Sequence, residues 1–229
     1  MTRKSLSLIG VILFLLAMQS CSSPPEEIIL KKWFHAQVML DKTTLSTMAL
    51  EPVQMDAESW DIISATEEVV EQYQLPELNK KELELKKKVE ESVIITVEAK
   101  EDLDDAEFEL DRARTRGAKR AAQKKVNELK AKYEEIRANH DQVQSDYSLA
   151  KSASAREESI TSFSLGAGDL PNIRELTGDV HSKEVEVKVE GQSGTKNYKF
   201  YLRMYNLRDE TLNLARRGRW IIIKIETIS

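Results

Sequence analysis

The chain has 229 residues, 32% of them charged and only 6% aromatic, with a formal net charge of -5. That length leaves room for one or two domains, and the charge balance excludes the general basic footprint of a nucleic-acid binder. A single cysteine, Cys21, excludes an intramolecular disulfide framework.

The first stretch reads as an export segment. Thr2-Arg3-Lys4 is a short basic start, and Leu6 to Met18 is apolar but too short for an ordinary membrane span. The run closes on Ala17-Met18-Gln19-Ser20-Cys21, followed by Ser22-Ser23-Pro24-Pro25. This resembles a bacterial lipoprotein signal with its lipobox. The resemblance implies that residues 1–20 are removed and that Cys21 is acylated, palmitate included, as the first residue of the mature chain. The alternative is a plain secretory signal with Cys21 incidental. Ser22 is not the aspartate of the enteric inner-membrane sorting rule. For a Gram-negative source, the resemblance therefore implies an outer-membrane address facing the periplasm of the cell envelope.

Residues 21–75 read as the N-terminal part of an α+β domain. Pro24-Pro25-Glu26-Glu27 opens a helix as prolines and early acids do. Ile29, Trp33, Ala36, Gln37 and Leu40 mark its inner face. Asp41 to Thr44 breaks it, Thr44 is expected to cap a short helix through Met48, and Pro52 closes that piece. Trp60 to Ser64 reads as a strand, extended by Glu67 to Val70. Pro76 then separates the strand from the next element, and Asn79 with Glu82 three residues on predicts a helix cap.

Residues 76–160 read as an antiparallel coiled-coil hairpin. Leu85, Val89, Ser92, Thr96, Ala99, Leu103, Ala106, Leu110 and Ala113 recur at alternating steps of four and three. So do Ala122, Val126, Leu129, Tyr133, Ile136, His140, Val143, Tyr147 and Ala150. That spacing keeps one seam of each helix facing a partner. Thr115-Arg116-Gly117-Ala118 supplies the turn, with Gly117 suited to a left-handed helix end. Folding about it pairs Leu110 with Val126, Ala106 with Leu129 and Thr96 with His140. Each arm of 29 residues is about 43 Å long at the α-helical rise. The run Val93-Ile94-Ile95-Thr96-Val97 has strand propensity, but the seam crosses it uninterrupted, so helix is expected.

Residues 161–229 read as the C-terminal antiparallel β part of the same domain. Gly166 to Asp169 with Pro171 is a loop. Val185, Val187 and Val189 alternate with charged residues, and Gly191-Gln192-Ser193-Gly194 is a turn. Tyr198, Phe200, Leu202 and Met204 alternate next, and Arg219 to Ile225 follows Gly218 as a third strand. Trp33, Ala36, Asp41, Leu45 and Met48 near one end and Gly218-Arg219-Trp220-Ile221-Ile222 near the other are similar to the ends of NTF2-like (SnoaL-like) domains. The resemblance covers residues 25–65 and 170–229. It implies a helix-plus-antiparallel-sheet cone with the hairpin inserted, and a pocket lined by residues such as Trp33, Tyr198, Phe200 and Trp220. From the residues alone, those aromatics read as core rather than as a pocket lining.

Catalytic chemistry is not legible. Of the three histidines, His140 sits in the seam as a polar register residue, while His35 and His181 have no acid or nucleophile at a recognisable spacing. No nucleophile elbow, phosphate loop or zinc spacing occurs, so no enzyme, cofactor or metal is expected. Charge carries more. Glu98 to Asp111 holds eight acids against one base, and Arg112 to Lys132 nine bases against one acid. Most of that pattern is explained by the arms pairing with each other. It leaves Arg112, Arg114, Arg116, Lys119 and Arg120 crowded about the turn with no acid among them: either a solvated end or a contact for an anionic partner. The expectation is a non-catalytic, membrane-anchored lipoprotein whose hairpin meets another envelope component through its tip or outer face. The alternative is a small-ligand carrier or sensor using an NTF2-like pocket. A homo-oligomer formed through the hairpin is a further possibility.

Overall fold

The computed structural model describes residues 23–166, 170 and 172–228. They form an α+β fold of four helices, one 3-10 turn and a six-stranded antiparallel sheet. Helix α1 spans Pro25–Val38 and α2 Lys42–Met48; the long pair is α3, Leu75–Arg112, and α4, Arg116–Leu165. The strands are β1 Ser59–Ala65, β2 Val69–Gln72, β3 Thr177–Gly191, β4 Gly194–Asp209, β5 Leu214–Arg217 and β6 Ile221–Ile228.

The sheet is built on the β3/β4 hairpin, paired without a break from Thr177/Arg208 to Gly191/Gly194. On the outer edge of β3, β1 pairs with Val185–Glu190 and β2 with Asp179–Ser182, one after the other. On the outer edge of β4, β6 pairs with Asn197–Arg203 and β5 with Asn206–Asp209. Because side chains alternate along a strand, the two faces bury different things. Val185, Val187, Val189, Phe200, Leu202 and Ile222 point to one face and meet Leu30, Trp33 and Phe34 of α1 and Leu45 of α2. Val180, Tyr205, Leu207 and Ile221 have the opposite parity and meet Leu75 and Ile160 at the base of the long helices. On that second face, beyond the base, lies a polar ladder in which Glu184 holds Lys199 at 2.6 Å and Tyr201 donates to Glu226 at 2.6 Å.

The long helices leave the sheet after β2 and return as β3, its hydrogen-bonded neighbour, with Gln72 paired to Asp179. They are thus an excursion between two adjacent antiparallel strands. At 38 and 50 residues they are about 57 and 75 Å long. Their facing residues are those of the heptad seam: Ser92, Ala99, Leu103, Ala106, Val126 and Ala150 are buried, and the remaining seam positions are half-buried. Val93 to Val97 is helical, with Val93, Ile94, Ile95 and Val97 all exposed.

Several local expectations are corrected. Asp41, not Thr44, caps α2, accepting from the Thr44 amide and hydroxyl. Helix α3 starts at Leu75 with Pro76 inside its first turn, so Asn79 and Glu82 lie on the helix face and form no cap. The second stretch after Trp60–Ser64 is a separate strand, β2, because the chain passes from Glu184 to Ser182 along the same edge. β3 begins at Thr177, placing His181 within it, and β5 is an additional strand. Gly117 is not left-handed; it lies in the first turn of α4, and the left-handed helix end belongs to Gly166 at φ 61°. The turn is Ala113–Thr115, earlier than expected, so the arms meet about one helical turn out of the expected register. His140 Nδ1 lies 2.9 Å from Ser92 Oγ, and Thr96 donates instead to the Ser92 carbonyl.

The ion pair between Lys183 and Glu26, 2.6 Å with both side chains nearly buried, ties the start of α1 to β3. Replacing Lys183 with Ala strands a buried carboxylate and is expected to cost about 3 kcal/mol in a urea titration. Gly218→Ala places a Cβ 2.4 Å from Ser164 Oγ and 3.1 Å from the Tyr205 carbonyl. A loss of about 1–3 kcal/mol is expected there, whereas Gly117→Ala, with nothing within 4 Å, leaves the midpoint unchanged or higher.

Candidate functional site

The tip follows from one capping interaction. α3 ends at Arg112, and Thr115 in extended conformation caps α4, its side chain accepting from the Ala118 amide at 3.2 Å. The Lys119 amide closes the first turn onto the Thr115 carbonyl at 2.9 Å. This brings Arg112, Arg114, Arg116, Lys119 and Arg120 together around three non-helical residues. Along the arms three bases make ion pairs among the described residues, Lys125 with Glu109 across the seam at 2.8 Å, Lys100 with Asp104 and Lys124 with Glu128, while Lys86 to Lys88, Lys130 and Lys132 make none. Among the described residues, none of the five tip bases makes such a pair. The first turn of α4 contains no acid, so Arg116, Lys119 and Arg120 stand at the positive end of its dipole, where bases are disfavoured. The Arg112 guanidinium lies over the ring of Phe108, 4.1 Å from its centroid, and that ring is 55% exposed. The far end of the arm is therefore cationic and partly aromatic, with Asp111 sharing a hollow with Lys119 and Arg120.

At the other end the arms are mounted by a polar network that sequence reading missed. Arg174, on the 3-10 turn Ile173–Glu175, bonds Glu82 of α3 at 2.9 Å, Glu158 of α4 at 2.8 Å and Asn79 at 3.1 Å. Beside it, Glu157 of α4 accepts from Tyr205 at 2.7 Å and Arg203 at 3.1 Å, both on β4. Tyr73 donates to Thr161 at 3.1 Å and packs edge-on against Tyr205. The only sequence signal was the Asn79/Glu82 spacing, which puts both on one helix face as readily as it makes a cap.

The other expected residues are dispersed. Ser92 donates to the Val89 carbonyl at 2.8 Å, and its oxygen lies 2.9 Å from His140 Nδ1 across the seam. His181 pairs with Glu68 at the sheet edge, and His35 lies on α1. Trp33 and Phe200 are fully buried and meet edge-on at 6.4 Å, while Phe34 stacks on Trp60 at 4.8 Å. Tyr198 and Trp220 are half-buried against this cluster. Cys21 lies outside the described residues. Among those described, no group of three or more His, Cys, Asp or Glu side chains is placed to hold a metal ion. No helix among them is long and apolar enough to cross a membrane.

The chain matches no protein-family model, no curated protein and no solved structure.

The tyrosines of the mount give a pH signature. Burial raises the Tyr205 phenol, and the Glu157 carboxylate raises it further; burial likewise raises Tyr73, with the Thr161 hydrogen bond working against it. Each is held protonated more tightly folded than unfolded. The stability they supply is fully present below the unfolded value near pH 10 and is lost as pH rises beyond it. Absorbance at 295 nm is expected to show these two tyrosines ionising only with unfolding, and Tyr205→Phe to flatten the alkaline loss.

Proposed function

We propose that this protein is a membrane-anchored lipoprotein of the bacterial cell envelope, held through acylated Cys21 at the outer membrane and facing the periplasm. It acts as a non-catalytic interaction module. The α+β body, similar to NTF2-like domains, serves as the base, and the helical hairpin is the recognition arm. The observation that carries this reading is the tip: five bases without an acid partner at the end of helices 38 and 50 residues long. An anionic envelope component is the partner such a surface suits, since like charges crowded at a helix N-terminus are relieved by an anion. The full burial of Trp33 and Phe200 against each other favours this reading over a ligand carrier using that pocket.

A second feature favours self-association through the arms. Val93, Ile94, Ile95 and Val97 are 44–60% exposed, and they make the outer side of α3 apolar for about a turn, a patch a helix rarely leaves uncovered. Light scattering on the chain from Ser22 onward is expected to show a species larger than a monomer, reduced to monomer by Ile94→Asp.

The tip reading is tested by a photoreactive residue at Gly117, where an added side chain meets no atom within 4 Å. A discrete crosslinked product is expected in cells, lost when Arg114, Arg116 and Lys119 are all changed to Glu. An unchanged product after that reversal retires the tip. Incorporation of labelled palmitate, abolished by Cys21→Ser, tests the anchor separately.

A further inference from the structure

The hairpin does not account for a crevice in the body, beside the C-terminal end of α4. It lies between α1, α2 and the segment Gly218–Trp220, and encloses about 440 Å³, a volume typical of small-ligand clefts. Ile29 and Met48 form its floor; Ile28, 47% exposed, and the half-buried Trp220 form its walls. Two cations border it, Lys32 and Arg219, and no acid lines it. Neither cation is in an ion pair among the described residues. Glu26, the nearest buried acid on α1, is already taken by Lys183.

Of the two bordering residues, Arg219 is held in place. The Arg219 guanidinium stacks on Phe163 at 5.4 Å and its amide bonds the Ser164 carbonyl at 2.9 Å. Gly218 makes that approach possible, because any Cβ there would meet Ser164. Lys32 and Thr44 also line a second hollow, shared with His35, Met39 and Asp41. An apolar channel with a cationic mouth and an indole at its rim has the chemistry of a lipid site: hydrocarbon below, phosphate above, and an aromatic at the interface.

We propose that this crevice binds an anionic phospholipid, its acyl chain against Ile28, Ile29, Met48 and Trp220 and its phosphate with Lys32 and Arg219. The choice of a membrane lipid as occupant rests on the anchor reading. Cys21 precedes Pro25, at the mouth of the crevice, by four residues, a reach of at most about 14 Å. An anchored chain therefore presents the crevice to the bilayer at high effective concentration. Occupation seats the body against the membrane, so that the anchor and the crevice together set where the arm points.

The test uses the chain from Ser22 onward, which cannot carry the acyl group. Every buried residue of both body clusters lies beyond Pro25, so this form keeps the whole core, and circular dichroism verifies it. Binding is measured by co-sedimentation with vesicles of phosphatidylethanolamine and phosphatidylglycerol, and with phosphatidylcholine alone. The basic tip would also meet anionic vesicles, so all measurements are repeated with Arg114, Arg116 and Lys119 changed to Glu. In that background, binding to the anionic vesicles is expected to persist. Lys32→Glu with Arg219→Glu is expected to raise the lipid concentration for half-binding at least tenfold. Brominated acyl chains are expected to quench tryptophan fluorescence, and Trp220→Phe to remove that quenching. Binding that disappears with tip reversal, ignores the Lys32/Arg219 pair or is equal on phosphatidylcholine overturns the proposal. The mass of Cys21 from cells reads the anchor independently. An unmodified cysteine with crevice-dependent binding fails the anchor alone, and a lipidated cysteine without it fails the crevice alone.

Discussion

One arginine joins the two halves of this molecule. Arg174 sits on a three-residue turn between the return of α4 and the start of β3, and it bonds both long helices at once through Glu82 and Glu158. Without a common partner, two helices emerging from a sheet edge are constrained only by their own seam and by whatever hydrophobic contact their ends make. Here the ends do bury Leu75 and Ile160, but such contact is non-directional. The guanidinium supplies direction, because its donors fan out in a fixed plane. Glu157, held by Tyr205 and Arg203, makes the same attachment from the sheet side.

The strand pairing explains why so long an excursion is compatible with a small sheet. β2 and β3 are neighbours whose chain ends must lie side by side, and an antiparallel helical pair is one of the few elements that begins and ends at the same place. The sheet then divides its faces. α1 and α2 cover the hydrophobic face at one end of β3 and β4, and the hairpin base covers the reverse face at the other. The uncovered part of that reverse face is laced with cross-strand charge and hydroxyl pairs, the usual condition of a solvated antiparallel sheet.

Legibility in the amino-acid sequence obeys the same physics. The seam positions on both arms were legible because burial there recurs with one period over many turns, and every residue in it proved buried or half-buried. Register was not, because it depends on where the turn falls. Gly117 advertised a turn, whereas the Thr115 cap placed it three residues earlier. Asn79 and Glu82 looked like a cap because a spacing of three is common to caps and helix faces. Their partner Arg174 lies more than ninety residues away, and no local pattern links them. β5 escaped notice because Leu214 to Arg217 is too short to alternate. At the tip, the bases were visible as composition, but their lack of partners is a property of the folded arms. The crevice beside Trp220 was invisible, since it is made by three segments that share no pattern.

The mount of the hairpin also has a mechanical side. From Glu82 to Arg112 the arm extends about 45 Å, and from Leu75 to Glu82 about 10 Å. A sideways force at the tip therefore acts on the Arg174 attachment with roughly fourfold leverage by that rise, and the attachment turns push at one end into torque on the sheet. Strain applied at the far end is thus delivered to β3 and β4, the two strands that hold everything else in place.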